Sequence, residues 1–252
     1  MTIKPINNSM DSYLASGKKI NSAADNAAGL TIVEKMKSQS SGLDVGTSNA
    51  AAGKDLIATA AGALDSITDS LQRVRELSLQ ASNTAVYSSD DIGAMQDEVE
   101  QLMQGIQDVA KGTTFNNQTL LDGSRADYNL ATNPSGGGLK IQMGNATLSS
   151  LGLEGYDLTG NFDIHAIDKA LQSVSDASSS LGAQSNALTS IMNYNTNTSL
   201  STTASQSKLE DLDYAKAISQ DQKNNILEEY QMMMQKKQEE QKAQESKNLF
   251  GL

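Results

Sequence analysis

Ile57, Ala60, Leu64, Ile67, Leu71 and Val74 recur at alternating steps of three and four residues, which places them on one stripe of a long helix. The pattern predicts a helix over residues 57–81, centred on LQRVRELSLQ at residues 71–80. At ~1.5 Å per residue such a helix is roughly 38 Å long. It cannot bury its stripe alone, so it needs partner helices of similar length. Only 38% of the chain is hydrophobic and 4% aromatic, with no Trp. That rules against a thick globular core and suits slender helices packed through small side chains. A narrow seam on a long rod points to a bundle that assembles with others.

The partners are visible in the rest of the chain. Pro5 predicts no helix before about Ile6, and Gly17 reads as a break. Ser22 with Asp25 has the form of a capping box, so a helix is expected from Ala23 to about Ser41, with Gly42 ending it. Residues 43–53 are Gly- and Ala-rich and read as a turn or loosely helical link. Ser89 is the expected cap of a second long helix, in which Ile92, Met95, Val99, Leu102, Ile106 and Val109 keep one frame before a stop at Lys111 and Gly112. Tyr128 and Leu130, then Leu139, Ile141 and Met143, alternate with polar residues around TNPSGGG, which predicts a small β-hairpin. Residues 148–160 read as loop.

Helical spacing returns with Ile164, Ile167, Leu171, Val174, Leu181, Leu188 and Met192, while Ser178 and Ser185 fill two seam positions. Residues 193–207 are rich in Asn, Ser and Thr, which predicts a loosening or break there, with helix resuming over 207–218. Residues 231–247 are almost wholly Gln, Lys, Glu and Met and read as a solvated helix or a disordered tail. The expected fold is mainly α: a long antiparallel helical bundle formed by the N- and C-terminal segments, with a small β-hairpin region in the middle. Its expected core comprises Leu64, Ile67, Leu71, Val74, Ile92, Met95, Val99, Leu102, Ile106, Val109, Leu171, Val174, Leu181 and Leu188. The expected organisation is a tail over 1–22, helical regions over 23–123 and 164–225, a connection over 124–163, and a polar tail over 226–252.

A net charge of −11 argues against nucleic-acid binding, which needs clustered Lys and Arg, and against docking on an anionic membrane. The chain has no Cys, so disulfides and thiolate sites are excluded. No apolar run approaches the ~20 residues of a spanning helix, and the N-terminus lacks a secretory signal pattern. Export, if it occurs, uses a route that cleaves no such peptide. His165 stands alone, without the ligand set of a zinc site. Glu210, Asp211 and Asp213 read as solvated surface. Sequons begin at Asn7, Asn117, Asn145 and Asn197, but no glycosylation is assigned. No phosphate loop or nucleophile–base pair is present, so neither enzymatic activity nor a cofactor is expected.

SGKKINSAADNAAGL (residues 16–30), LQRVREL (71–77), TTFNNQTLLDG (113–123), LKIQMG, SLGAQSNALTS and SKLEDLDYA occur in that order. They resemble SSGLRINSAKDDAAG, the LQRVREL-centred helix, the T-x-FNG-x-x-LLDG turn, the short strand pair and the LGAxxNRLxS and SRIEDxDYA segments of bacterial flagellin. The resemblance covers roughly residues 15–225. It implies a structural subunit of the flagellar filament, self-assembling through its helical bundle, exported through the flagellum's own apparatus and located outside the cell. It also implies an export chaperone on the C-terminal helices, where Met232–Met234 form a candidate patch, and recognition by the innate immune receptor for flagellin. The implied subunit and receptor contact face is Gln72, Arg73 and Leu77, with Gly105 where the family often has Glu on the second helix. The polar tail supports an alternative: a non-polymerising flagellin-like binding protein recognised by that chaperone or receptor.

Overall fold

The computed structural model describes residues 8–250. Three helices come first: α1 (Asn8–Ser16), α2 (Ala23–Ala81) and α3 (Ser89–Gly112). Four short strands follow: β1 (Thr114–Phe115), β2 (Gln118–Thr119), β3 (Asp127–Ala131) and β4 (Gly138–Gln142). A single turn, α4 (Leu148–Leu151), leads to α5 (Ile164–Glu210) and α6 (Tyr214–Phe250). The class is the mainly helical one that the periodicities predict. The chain divides into two units, one built from the described residues up to Ser40 and from Leu200 onward, the other from Ser41–Ser199.

The second unit holds the large core. Leu64, Ile67, Leu71 and Val74 of α2, Val99 and Ile106 of α3, and Val174, Leu181 and Leu188 of α5 are all buried in one cluster. Ile92, Met95, Leu102, Val109 and Leu171 pack against it half-buried. β3 and β4 pair antiparallel with Tyr128 opposite Ile141 and Leu130 opposite Leu139. The period of two therefore turns these four toward the helices. β1 and β2 form a smaller hairpin through Asn116 and Asn117, both at positive φ (49° and 60°), the geometry that matches strand twist in a two-residue turn.

Four local expectations change. First, α2 does not stop at Gly42. Gly42 and Gly46 face the tip of the β3–β4 hairpin. A Cβ at Gly46 would lie 2.2 Å from the Thr132 carbonyl oxygen, and one at Gly42 would lie 2.7 Å from Pro134 Cβ. The glycines admit a close approach rather than end a helix. The helix is capped upstream by Asn26, whose extended backbone (φ −163°, ψ 95°) interrupts the helical run while its side chain accepts from the Gly29 N–H at 2.8 Å. Second, α3 is capped by Ser88, one residue before Ser89, in a reciprocal box with Asp91.

Third, residues 148–160 open with a helical turn and are loop, as read, only beyond Leu151; that loop is packed. α4 starts at the Thr147 cap and ends at Gly152 in the left-handed region, and Leu151, Leu153 and Leu158 are buried. The Gln96 side chain fixes this segment by accepting from the Leu158 N–H at 2.8 Å. Fourth, α5 runs unbroken through residues 193–207. Asn195 donates to the Thr132 carbonyl at 2.9 Å and Ser199 to the Asp44 carboxylate at 2.8 Å. These side chains are held by tertiary acceptors instead of competing for their own backbone. The break comes later, between α5 and α6, where the Asp213 carboxylate caps α6 through the Lys216 N–H. Beyond it, residues 231–247 are helical and exposed wherever their side chains are described.

Candidate functional site

LQRVREL splits into a buried stripe and two flanks. Leu71, Val74, Leu77 and Ser78 are buried, whereas Gln72, Arg73, Arg75 and Glu76 are exposed. Arg73, on one flank, reaches α3: its Nε donates to Glu98 at 2.7 Å and its Nη1 to Glu76 at 3.1 Å. Arg75, on the other flank, reaches α5 and meets Asp168 at 2.7 Å. Glu98 first, then Glu76, hold the Arg73 guanidinium more firmly protonated than usual. All these groups are half open to water, so solvent screens the pairs and they add little to stability. Leu77 does not share the outward face with Arg73, because it is only 2% exposed. An i,i+4 pair differs by about 40° in direction, and here that turns Leu77 onto the core stripe. The candidate contact face on α2 therefore reduces to Gln72 and Arg73.

In the first unit, the connections after α1 and α5 are tied together. Lys18 and Asp211 form an antiparallel bridge, flanked by the Lys19 N–H donating to the Glu210 carbonyl (2.7 Å) and the Leu212 N–H to that of Gly17 (2.9 Å). The Glu210 side chain is buried, accepts from Gln206 at 2.9 Å and pairs with Lys18. Gln206, then Lys18, keep its carboxyl below the usual range. Glu210 is thus a structural tie rather than solvated surface. Nothing in its local sequence names Lys18, which lies at the other end of the chain. Nearby, the Tyr13 hydroxyl donates to Asp25 at 2.6 Å. With the Asn21 and Ser22 N–H groups it lowers the Asp25 pKa to about 2.

α6 presents a different surface. Ile226, Leu227, Tyr230, Met233 and Met234 are all exposed and fall within about 120° of the helix circumference. The covered side of α6 is the opposite one, where Ala217 is buried and Asp221, Asn224 and Glu228 are half-buried.

Chemistry is sparse elsewhere. No cluster of three or more potential metal ligands occurs among the described residues. His165 is 84% exposed at its side chain, and its Nδ1 lies 3.8 Å from Asp168. An open groove of about 720 Å³ between α3 and the segment after α4 is lined by carboxylates, amides, apolar side chains and Tyr156. It holds no hydroxyl–imidazole pair.

Residues 2–126 match the family model for the bacterial flagellin N-terminal helical region, and residues 164–244 match that for the C-terminal helical region. The chain belongs to the bacterial flagellin family. The flagellin of Halalkalibacterium halodurans is 38% identical over 221 residues, covering 85% of this chain and 81% of that one. The flagellin of Bacillus subtilis is 35% identical over 253 residues, covering 85% and 83%. The crystal structure of Bacillus cereus flagellin aligns with a TM-score of 0.52 at 26% identity, covering 59% of this chain and 88% of that chain. As a flagellin, the chain is a structural subunit of the flagellar filament, a homopolymer. The matches favour this over a flagellin-like protein that does not polymerise.

Proposed function

We propose that the subunits of this filament contact one another through two surfaces: the outward apolar side of α6, and the Gln72 and Arg73 flank of α2. The observation that carries this reading is the exposed set Ile226, Leu227, Tyr230, Met233 and Met234. Burying each large apolar side chain stabilises by about 1.5–3 kcal/mol, and a polymer of identical chains supplies a partner at every subunit. The bundle core is closed within one chain, so it is these exposed surfaces that are left to join subunits.

The subunit reaches its place outside the cell through the flagellar export route, with a chaperone shielding α6 until assembly. The innate immune receptor for flagellin reads the α2 flank. Arg73 is already engaged by Glu98 there, and Gly105 on α3 offers no side chain, so receptor activation is weak. A reporter assay with potency equal to an ordinary flagellin refutes that last point.

The assembly reading is tested by negative-stain electron microscopy of the purified chain, alone and mixed with sheared filament seeds. Filaments are expected in the seeded sample and are lost when Ile226 and Tyr230 are replaced by Ser. Soluble particles alone in both samples of the unmodified chain overturn the reading.

A further inference from the structure

The chain has ten methionines, and their environments divide sharply. Met232, Met233 and Met234 are 56%, 66% and 42% exposed, whereas Met103 and Met143 are 7% and 9% exposed. Met10, Met36, Met95 and Met192 are half-buried, and Met1 lies outside the described residues. Thioether oxidation follows exposure, so an oxidant reaching the free subunit meets these three consecutive sulfurs first.

We propose that Met232, Met233 and Met234 form a sulfoxidation site at which hydrogen peroxide, by oxidising Met233 and Met234, turns the outward face of α6 polar and blocks its burial against a second copy of the chain, while Met232 beside them lies off that face. The inference rests on the assembly role proposed above for that face. In the reaction the thioether sulfur attacks one peroxide oxygen. The S–O bond forms as the O–O bond breaks, sulfur gives up two electrons, and the departing hydroxide takes the remaining proton to leave as water. Each methionine gains one oxygen and a strong hydrogen-bond acceptor.

Two features of the local sequence make the change one of surface rather than of fold. Lys236 lies one helical turn after Met232, and Lys237 one turn after Met233, so ammonium donors stand at the i,i+4 positions of the new acceptors. No buried side chain is described in α6 beyond Ala217, so no core contact is lost and the helix persists. The occupant of the face is a second copy because the filament is a polymer of this chain, and among the described residues the chain covers only the opposite side of α6. Sulfoxide is reducible by methionine sulfoxide reductases, so the block is reversible.

The test treats the full-length subunit with hydrogen peroxide, quenches it, and compares three readouts: oxygen addition mapped by peptide mass spectrometry, far-UV circular dichroism, and elongation from sheared seeds. A variant with Met232, Met233 and Met234 all replaced by Leu runs in parallel, with a second carrying Gln at these positions as a sulfoxide-like control. Oxidation concentrated on the three residues, an unchanged helical signal and an elongation rate reduced about tenfold or more are expected for the natural chain. The Leu variant is expected to elongate at its untreated rate after peroxide, and the Gln variant to elongate slowly without it. Oxidation spread evenly over the methionines, or equal inhibition of the Leu variant, overturns the inference. Failure of the untreated natural chain to elongate is a separate result that overturns the assembly reading and the block that depends on it.

Discussion

The close approach at Gly46 gives the sharpest test of how the middle of the chain is built. In Gly46→Ala the new methyl would lie 2.2 Å from the Thr132 oxygen, 2.8 Å from its carbon and 3.1 Å from the Asn195 amide. Ordinary contact begins at 3.4 Å, so the carbonyl must retreat by 1.2 Å, the difference between 3.4 and 2.2 Å. That retreat pulls Thr132 from the buried Asn195 amide, a 2.9 Å bond, and strains the neighbouring bond from Asn49 to the Ala131 carbonyl. Overpacking of this kind costs about 1–3 kcal/mol, and the weakened hydrogen bond adds about 1 kcal/mol. Against this, Ala gains roughly 0.8–1.0 kcal/mol over Gly in a helix interior. The expected net change is a loss of about 1–3 kcal/mol. Gly62, on the same helix, has nothing within 4 Å of its Cβ position, so Gly62→Ala is expected to gain up to about 1 kcal/mol. Urea unfolding followed by circular dichroism reads both as shifts in midpoint at constant slope. A Gly46→Ala midpoint at or above that of the natural chain, with Gly62→Ala stabilised, refutes the packing argument.

Three further outcomes are expected. Leu71→Ala empties a fully buried position and costs about 2–5 kcal/mol, while Arg73→Ala removes only water-screened ion pairs and costs far less. Thermal denaturation of the pair is expected to separate them clearly. Tyr13→Phe removes the largest influence on Asp25, so its carboxyl titrates higher, between about 2 and its ordinary value of 3.8. A depressed carboxyl contributes stability that is present above the ordinary value and lost as pH falls through the folded one. The variant therefore loses that contribution at higher pH, which an NMR titration of the Asp25 carboxyl follows directly. Glu210→Ala strands the Gln206 and Lys18 donors and is expected to cost about 1 kcal/mol, read as faster amide exchange at Lys19 and Leu212.

Much of this architecture was legible in the residue order. The frame from Ile92 to Val109 needs no tertiary knowledge, because six apolar residues at helical spacing admit one period. The alternation around TNPSGGG likewise reads directly as β3–β4. The errors share a cause. Gly42 reads as a helix end because glycine looks the same in sequence whether it stops a helix or lets Thr132 and Pro134 approach. Asn195 and Ser199 read as residues that weaken α5 because their acceptors, Thr132 and Asp44, lie far away along the chain. Residues 148–160 show no period, yet Leu151, Leu153 and Leu158 are buried, since irregular backbone can pack as densely as regular backbone. Arg73 was visible as a surface group, but the carboxylates that hold it and Arg75 were not. Leu77 shows that helical spacing gives direction only to within tens of degrees.

The pairing of Arg73 with Glu98, and of Arg75 with Asp168, has a consequence for the solution behaviour of the subunit. Both arginines of LQRVREL are engaged within their own chain. Each pair cancels locally, so what another copy meets is the net −11 of the chain, in which both arginines are already counted. Two subunits in dilute buffer therefore repel before their apolar surfaces meet. The range of that repulsion is set by ions in the medium, shrinking from about 30 Å at 0.01 M to ~10 Å at 0.1 M. Ionic strength thus acts as a throttle on encounter: the unassembled pool is colloidally stable in fresh water and grows more associative as salt rises, with no change in any contact inside the folded chain.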